Sequence, residues 1–195
     1  MDDQLRLRPV AEEDLPVIER LTGDPEAAGE HSWLGWIDPR HWRRRWEENR
    51  LLSEQGGVLI VERAGERLGF VSWRRQRTSR TSYCWNIGIG MLPEVRGLGY
   101  GTEAQRLLVD YLFAHTQVHR VEAVTEITNT SEQWALDKAG FTREGVLRGY
   151  GFRDGAWRDG VIYSILRDEA GEESRRDVVE RRPSRRAAKG TRRDG

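Results

Sequence analysis

Between Arg96 and Thr102 the chain reads Arg-Gly-Leu-Gly-Tyr-Gly-Thr, a spacing suited to holding phosphate. Gly97, Gly99 and Gly101 let the backbone adopt positive φ and approach a ligand with no Cβ in the way. Their N–H groups then stand at the start of a helix, where unpaired donors and the positive end of the helix dipole favour an anion. Arg96 and Thr102 add a cation and a hydroxyl at the two ends. The competing reading is a glycine-rich turn that only lets a helix pack on a sheet. No Lys stands in the loop, which excludes a P-loop, and the glycines alternate, which excludes the dinucleotide fingerprint.

The flanking elements must position this loop. An apolar, aromatic-rich strand from about Tyr83 to Met91 ends before Pro93, and Ala104, Leu107, Leu108, Tyr111 and Leu112 recur at helical spacing in a helix from Thr102 to about Thr116. Leu5 to Pro9 alternates as a first strand, and Asp14 to Leu21 is a helix stopped by Gly23-Asp24-Pro25. Glu30 to Ile37 is a loop holding His31, Trp33 and Trp36, and Asp38-Pro39 opens a helix to about Ser53. Trp42 and Trp46 share one face of it and are read as core, while Arg43-Arg44-Arg45 is read as a solvated face. Two strands, Gly57 to Arg63 and Leu68 to Arg75, turn at Gly65-Glu66. Val121 to Thr125 is a further strand, Asn129 or Thr130 caps a helix running to Ala139, and Phe141 to Tyr150 with Ala156 to Leu166 form a last hairpin turning at Arg153-Asp154-Gly155. The expected fold is α/β (α+β), a mixed central sheet of about seven strands with helices on both faces.

Composition bounds the function. The 195 residues carry 32 basic and 32 acidic side chains, so overall charge argues neither for nucleic acid nor for a membrane surface. No apolar run approaches the roughly 18 residues of a membrane span. The acidic start Met1-Asp2-Asp3-Gln4 is no signal peptide, and the single Cys84 fits a reduced, cytoplasmic setting. From 168 to 195 the apolar periodicity is lost, and this charged tail is expected to be disordered beyond a domain at 1–167. Its basic end, Arg181 to Arg193, is read as solvated rather than as a nucleic-acid contact.

The series Arg96-x-x-Gly99-x-Gly101, then Asp110 to Phe113, His119 to Ala123, Asn129, Asp137-Lys138-Ala139-Gly140-Phe141 and Gly155 to Asp159 resembles the GNAT N-acetyltransferases. Within them it is similar to the ribosomal-protein N-acetyltransferase branch, over roughly residues 5 to 168. The resemblance implies acetyl-coenzyme A as co-substrate, no metal, and a primary amine of a small molecule or of a protein N-terminus as acceptor, in a chain that can form a homodimer. Coenzyme contacts then fall on Ile89, Gly90 and Met91, on the loop Arg96, Gly97, Leu98, Gly99, Tyr100, Gly101 and Thr102, and on Asn129. Trp33, Trp36 and Asn86 are implied on the acceptor side.

Acyl transfer from a thioester to an amine needs a held donor, a neutral amine, a stabilised oxyanion and a protonated leaving thiol. Many relatives have a Tyr where this chain has Leu136, and several have a Glu where it has Asn86, so the usual acid and base are missing. Glu126 is then the candidate base, and Ser131 or Glu132, beside Asn129, can assist the leaving thiolate, with Ser131 the better acid and Glu132 rather a helix cap. Tyr83, Tyr150 and Tyr163 are outside candidates, and His115 with His119 lacks a third ligand at metal spacing. The missing pair also fits a rival reading, a coenzyme-A-binding sensor or assembly domain without efficient transfer.

Overall fold

The structure, a computed structural model, describes residues 3–170. The strands are β1 (Arg6–Pro9), β2 (Leu52–Ser53), β3 (Gly56–Arg63), β4 (Glu66–Arg77), β5 (Tyr83–Met91), β6 (Arg120–Glu126), β7 (Thr142–Arg153) and β8 (Ala156–Leu166). The α-helices are α1 (Leu15–Gly23), α2 (Pro25–Ala28), α3 (His41–Asn49), α4 (Tyr100–His115) and α5 (Thr130–Lys138). The sheet runs β1-β3-β4-β5-β6-β8-β7, with β2 paired to β3 at the side. Every pairing is antiparallel except β5 with β6.

The pleat of β3 shows why helices must cover both faces. Leu59 and Val61 join Val71, Ile87, Leu108 and Leu112 in a core under α4, whereas Val58 and Ile60 join Leu15, Ile18 and Phe70 in a second core under α1. Successive side chains of a strand point to opposite faces, so a run of apolar residues can be satisfied only between two helical layers. Leu15, Ile18, Leu108 and Leu112 are fully buried, each contributing about 1.5–3 kcal/mol of apolar transfer.

Trp42 and Trp46 pack on the second core, as expected, and each indole finds an acceptor: Trp42 donates to Thr22 Oγ1 at 2.7 Å and Trp46 to the Val10 carbonyl at 2.9 Å. Their helix is shorter than the expected run to Ser53. Arg50 and Leu51 adopt left-handed φ of 57° and 58°, and Asn49 Oδ1 accepts from the Leu51 amide, so local capping ends the helix. The first hairpin turns one residue earlier than expected, at Ala64 and Gly65 with φ of 50° and 85°, both positive as a tight two-residue hairpin requires. The last hairpin turns at Asp154 and Gly155, as expected. An eighth strand arises because residues 52–53 pair with β3, too short a stretch to leave a period-two pattern.

At the other end, residues 167–170 form a helical turn, in which Glu169 accepts from the Leu166 amide, so order continues past the expected boundary at 167. Arg167 closes the domain by donating to the carbonyls of Phe113, Thr116 and Val118. The rest of the expected charged tail lies outside the described residues. Among the described residues, no helix is long and apolar enough to cross a membrane.

Candidate active site

β5 and β6 are paired only at Trp85–Val121, Asn86–Glu122 and Ile87–Ala123. Past that point both strands continue, to Met91 and Glu126, without each other. The gap is a cavity of about 220 Å³ lined by Ile87, Gly88 and Ile89 from β5, Ala123 to Glu126 from β6, Gln105 from α4, Asn129 and Glu132 at the start of α5, and His31 with Ser32. The edge of β5 that β6 leaves open, opposite the edge paired with β4, therefore faces a recess reached by groups from four other segments.

The glycine loop lies at one end of β5. Gly97 and Gly99 have φ of 76° and 85°, which L side chains resist, and an added Cβ at either would meet nothing within 4 Å. Gly99 is the N-cap of the 16-residue α4, whose N-terminus has no side-chain cap, so the first-turn amides at Tyr100, Gly101 and Thr102 are open to an external acceptor. Leu98 is exposed, and the Tyr100 hydroxyl accepts from Arg63. These residues fit a pyrophosphate. Arg96 behaves differently from the expectation: its guanidinium donates to the carbonyls of Met91 and Ala27, tying the loop to α2. It braces the cradle instead of aiming a free cation at it.

The acidic groups divide by environment. Glu126 accepts two bonds of 2.9 Å from Arg153 and one of 2.7 Å from Thr128. Burial pushes its carboxyl up, but these partners outweigh burial and hold it below the ordinary range. It stays ionised and is a weak proton acceptor near neutrality. Glu132 has one partner, the Gln105 amide at 2.6 Å, and loss of solvent pushes its carboxyl up to about 7, with the Gln105 bond pulling the other way. Glu132 thus has the proton affinity a general base or acid needs.

Asn129 caps α5, its Oδ1 accepting from the Glu132 amide at 3.2 Å, and it also lines the cavity. Ser131 is exposed and absent from the lining, because neighbours on a helix point about 100° apart. Of the two candidates at the start of α5, the side chain that turns inward is that of Glu132, not Ser131. Leu136 is fully buried in the core. Trp33 and Trp36 stack edge to face at 4.9 Å, with Trp36 80% exposed, and neither lines this cavity; His31 and Ser32 of the same loop do. His31 Nδ1 is buried without a hydrogen-bond partner and stands 3.9 Å from Glu126.

Sequence reasoning passed over Gln105, although a glutamine among buried Ala104, Leu108 and Leu112 on one helix face is an anomaly visible in the sequence. In the sequence His31 reads only as part of an aromatic loop. Nothing in its own spacing placed it against β6.

On the opposite face Asn86 lies beside its cross-strand partner Arg74, whose Nε donates to Asn86 Oδ1 at 3.1 Å. Both line a second cavity of about 340 Å³, under α3.

Comparison with known proteins decides the family. Residues 4–142 match the family described as acetyltransferase (GNAT) domain. The chain belongs to the GNAT acetyltransferases. The family activity is acetyl transfer from acetyl-coenzyme A to an amine. A probable N-acetyltransferase of Bacillus subtilis, YjcK, is 40% identical over 80 residues, 41% of this chain and 44% of that protein. The uncharacterized N-acetyltransferase p20 of Bacillus licheniformis is 27% identical over 173 residues, covering 86% of this chain and 95% of p20. The putative ribosomal N-acetyltransferase YdaF of Bacillus subtilis is 28% identical over 66% of each chain. Among solved structures, spermidine N-acetyltransferase from Vibrio cholerae in complex with CoA and spermine superposes with a TM-score of 0.73 at 20% identity, over 86% of this chain and 98% of that one.

Proposed function

We propose that this GNAT protein transfers acetyl from acetyl-coenzyme A to a primary amine by direct attack in a ternary complex, with Glu132 as the group that manages the proton. The observation that carries the reading is the Glu132 carboxyl, raised to about 7 at the point where β5 and β6 part. The nucleotide end of the coenzyme lies over Gly97, Gly99 and the open amides of α4, and the thioester arm runs along the edge of β5 at Ile89, Gly90 and Met91 that β6 leaves open, the other edge being paired with β4. An N–H there faces the developing oxyanion, a contribution of a few kcal/mol when prepositioned. The neutral amine forms a C–N bond as the C–S bond breaks; one amine proton passes to the ionised Glu132 carboxylate, which hands it to the departing thiolate and so returns to its starting state.

Glu126 and His31 lie on the acceptor side of the same gap, where the ionised Glu126 draws an ammonium in before it loses its proton. The acceptor class comprises small-molecule amines and protein N-termini, including the ribosomal substrates suggested by the name of YdaF and polyamines suggested by the Vibrio cholerae enzyme. Trp33 and Trp36, in edge-to-face contact in the loop that also carries His31 and Ser32, offer a surface for an apolar part of the acceptor. The domain at 1–167 is the transferase unit, a cytoplasmic setting suits its co-substrate, and a homodimer is compatible with catalysis inside one chain.

Calorimetric titration with acetyl-coenzyme A, followed by thiol release against a panel of amines and peptides, tests the reading. Binding with release for one acceptor class is expected. Binding without release for any acceptor would favour a coenzyme sensor, and absence of binding would overturn the site.

A further inference from the structure

The second cavity, of about 340 Å³, is built from the opposite face of the same strands and shares Ile87 and Gly88 with the gap between β5 and β6. Its chemistry is the reverse of the first. The gap is lined by two carboxylates, Glu126 and Glu132, and no Arg or Lys; the second cavity is lined by two guanidiniums, Arg45 and Arg74, and no Asp or Glu.

Neither guanidinium is neutralised within the described residues. In the run Arg43-Arg44-Arg45, Arg43 pairs with Glu12 at 2.7 Å and Arg44 with Asp38 at 2.5 Å. Arg45 has no acidic partner among the described residues and lies over the Trp42 ring at 5.4 Å. Arg74 spends one N–H on Asn86 Oδ1 and has no ion pair among the described residues. The guanidinium fork matches oxyanions and keeps its charge at all working pH values. Ser53, Ser72 and Gln55 add neutral polar side chains around them.

Gly88 is the residue at which the two regions join. It is the first residue of β5 past the last β6 pairing, and a Cβ there would meet Ser72 Oγ at 3.1 Å. A side chain at 88 would crowd Ser72, at a position that lines both cavities.

We infer that the acceptor is a small bifunctional molecule, an amine carrying an oxyanion, with its amine in the gap beside Glu132 and its carboxylate or phosphate held by Arg45 and Arg74. The inference rests on the transferase reading for the position of the amine. A polyamine is disfavoured, because its distal ammonium would face two guanidiniums at like charge.

The test compares ω-amino acids of increasing length with their amides, the matching aminoalkyl phosphates and the matching diamines, as acceptors for the full chain with acetyl-coenzyme A. The expected result is a kcat/KM for the best acid or phosphate at least about tenfold above its amide and diamine, as charged hydrogen bonds of this kind allow. A higher rate with the phosphate identifies a tetrahedral oxyanion, and with the carboxylate a planar one. In Arg45→Gln, Arg74→Gln and the double variant the acid-to-amide ratio should fall toward one, while the Kd for acetyl-coenzyme A holds. Equal rates across the series, or an unchanged ratio in the double variant, would overturn the inference and leave the transferase reading intact. Calorimetry of the acids and amides on the coenzyme-A-loaded protein separates the two ideas: acids bound in preference to amides without any thiol release would sustain the oxyanion site and sink the transferase. No preference in binding or turnover would sink the site.

Discussion

Gln105 on α4 donates its side-chain amide to Oε1 of Glu132 on α5 across 2.6 Å, joining two helices at the floor of the gap between β5 and β6. The bond fixes the carboxyl in a recess that strips its solvent, and desolvation wins over the hydrogen bond in setting its proton affinity. Gln105 Oε1 is itself buried without a partner, so the pair is held by packing, not by a saturated polar network. Glu132→Gln should lower kcat on the order of 10²-fold, the lower end for a general base, with little change in the Kd for acetyl-coenzyme A. The wild-type kcat/KM should rise with pH through about 7, and the variant should lose that limb. A variant with the same pH profile as the parent would remove Glu132 from the proton path.

The same raised carboxyl makes a stability prediction of opposite sense to most acidic groups. Between about 4.5, the unfolded value, and about 7, the folded state holds a proton that the unfolded state has lost, so stability falls as pH rises through that window. The full shift corresponds to up to about 3 kcal/mol, present at acid pH and lost above neutrality. Urea midpoints of wild type and Glu132→Gln should therefore converge near pH 5 and diverge at pH 8, with the variant the more stable.

Asp14 sets the opposite dependence. Its fully buried carboxyl bonds to Arg8 at 2.5 and 3.0 Å, to Arg67, and to the Ala11 amide at 2.8 Å. Burial alone would push it up; these donors prevail and hold it at about 2. The stability it contributes is present above the ordinary Asp value and is lost as pH falls from about 4 through about 2. Asp14→Ala should cost about 1–3 kcal/mol at neutral pH, because it removes the shared acceptor of Arg8 and Arg67 while Arg8 keeps Glu62 and Arg67 stays partly solvated. An acid-unfolding midpoint unchanged in the variant would refute the assignment.

Cys84 is predicted to be inert in the folded protein. Its thiol is fully buried, and desolvation, then the neighbouring Glu122, push it up to about 11, leaving little thiolate at neutral pH. Iodoacetamide should modify it only in denaturant. Prompt labelling of the native chain would mean that β5 opens on its own.

What was legible in the sequence follows from the range of the forces involved. The strand–loop–helix unit from Tyr83 to His115 is set by local rules: an apolar run, glycines with positive φ, then a 3.6-residue period, so its boundaries fell within about two residues. Asn129 as a cap was equally local. The distinction between Ser131 and Glu132 was not, because it depends on which face of α5 meets α4, and adjacent residues on a helix differ by a third of a turn. The role of Arg96 is not legible in the sequence for a related reason. Its type and position fit an anion, but the Ala27 carbonyl that claims it is 69 residues away in sequence. The contrast between Arg45 and Arg43 likewise rests on Glu12, 31 residues from Arg43 in sequence.

Gly99 offers the sharpest test of the coenzyme position, because the structure separates the two reasons a side chain there should fail. An added Cβ meets no protein atom within 4 Å, so packing does not forbid it. The φ of 85° does, costing about 1–2 kcal/mol for an L residue and more for a β-branched one. Gly99→Ala should thus reduce melting temperature by a few degrees and weaken acetyl-coenzyme A modestly, through backbone strain. Gly99→Val adds bulk over the open amides of α4, so its Kd should rise at least tenfold beyond what the Ala variant loses, while the two melt within a few degrees of each other. If both variants bound the coenzyme alike, the loop would be responding to strain only, and the pyrophosphate would have to lie elsewhere than over Gly97 and Gly99.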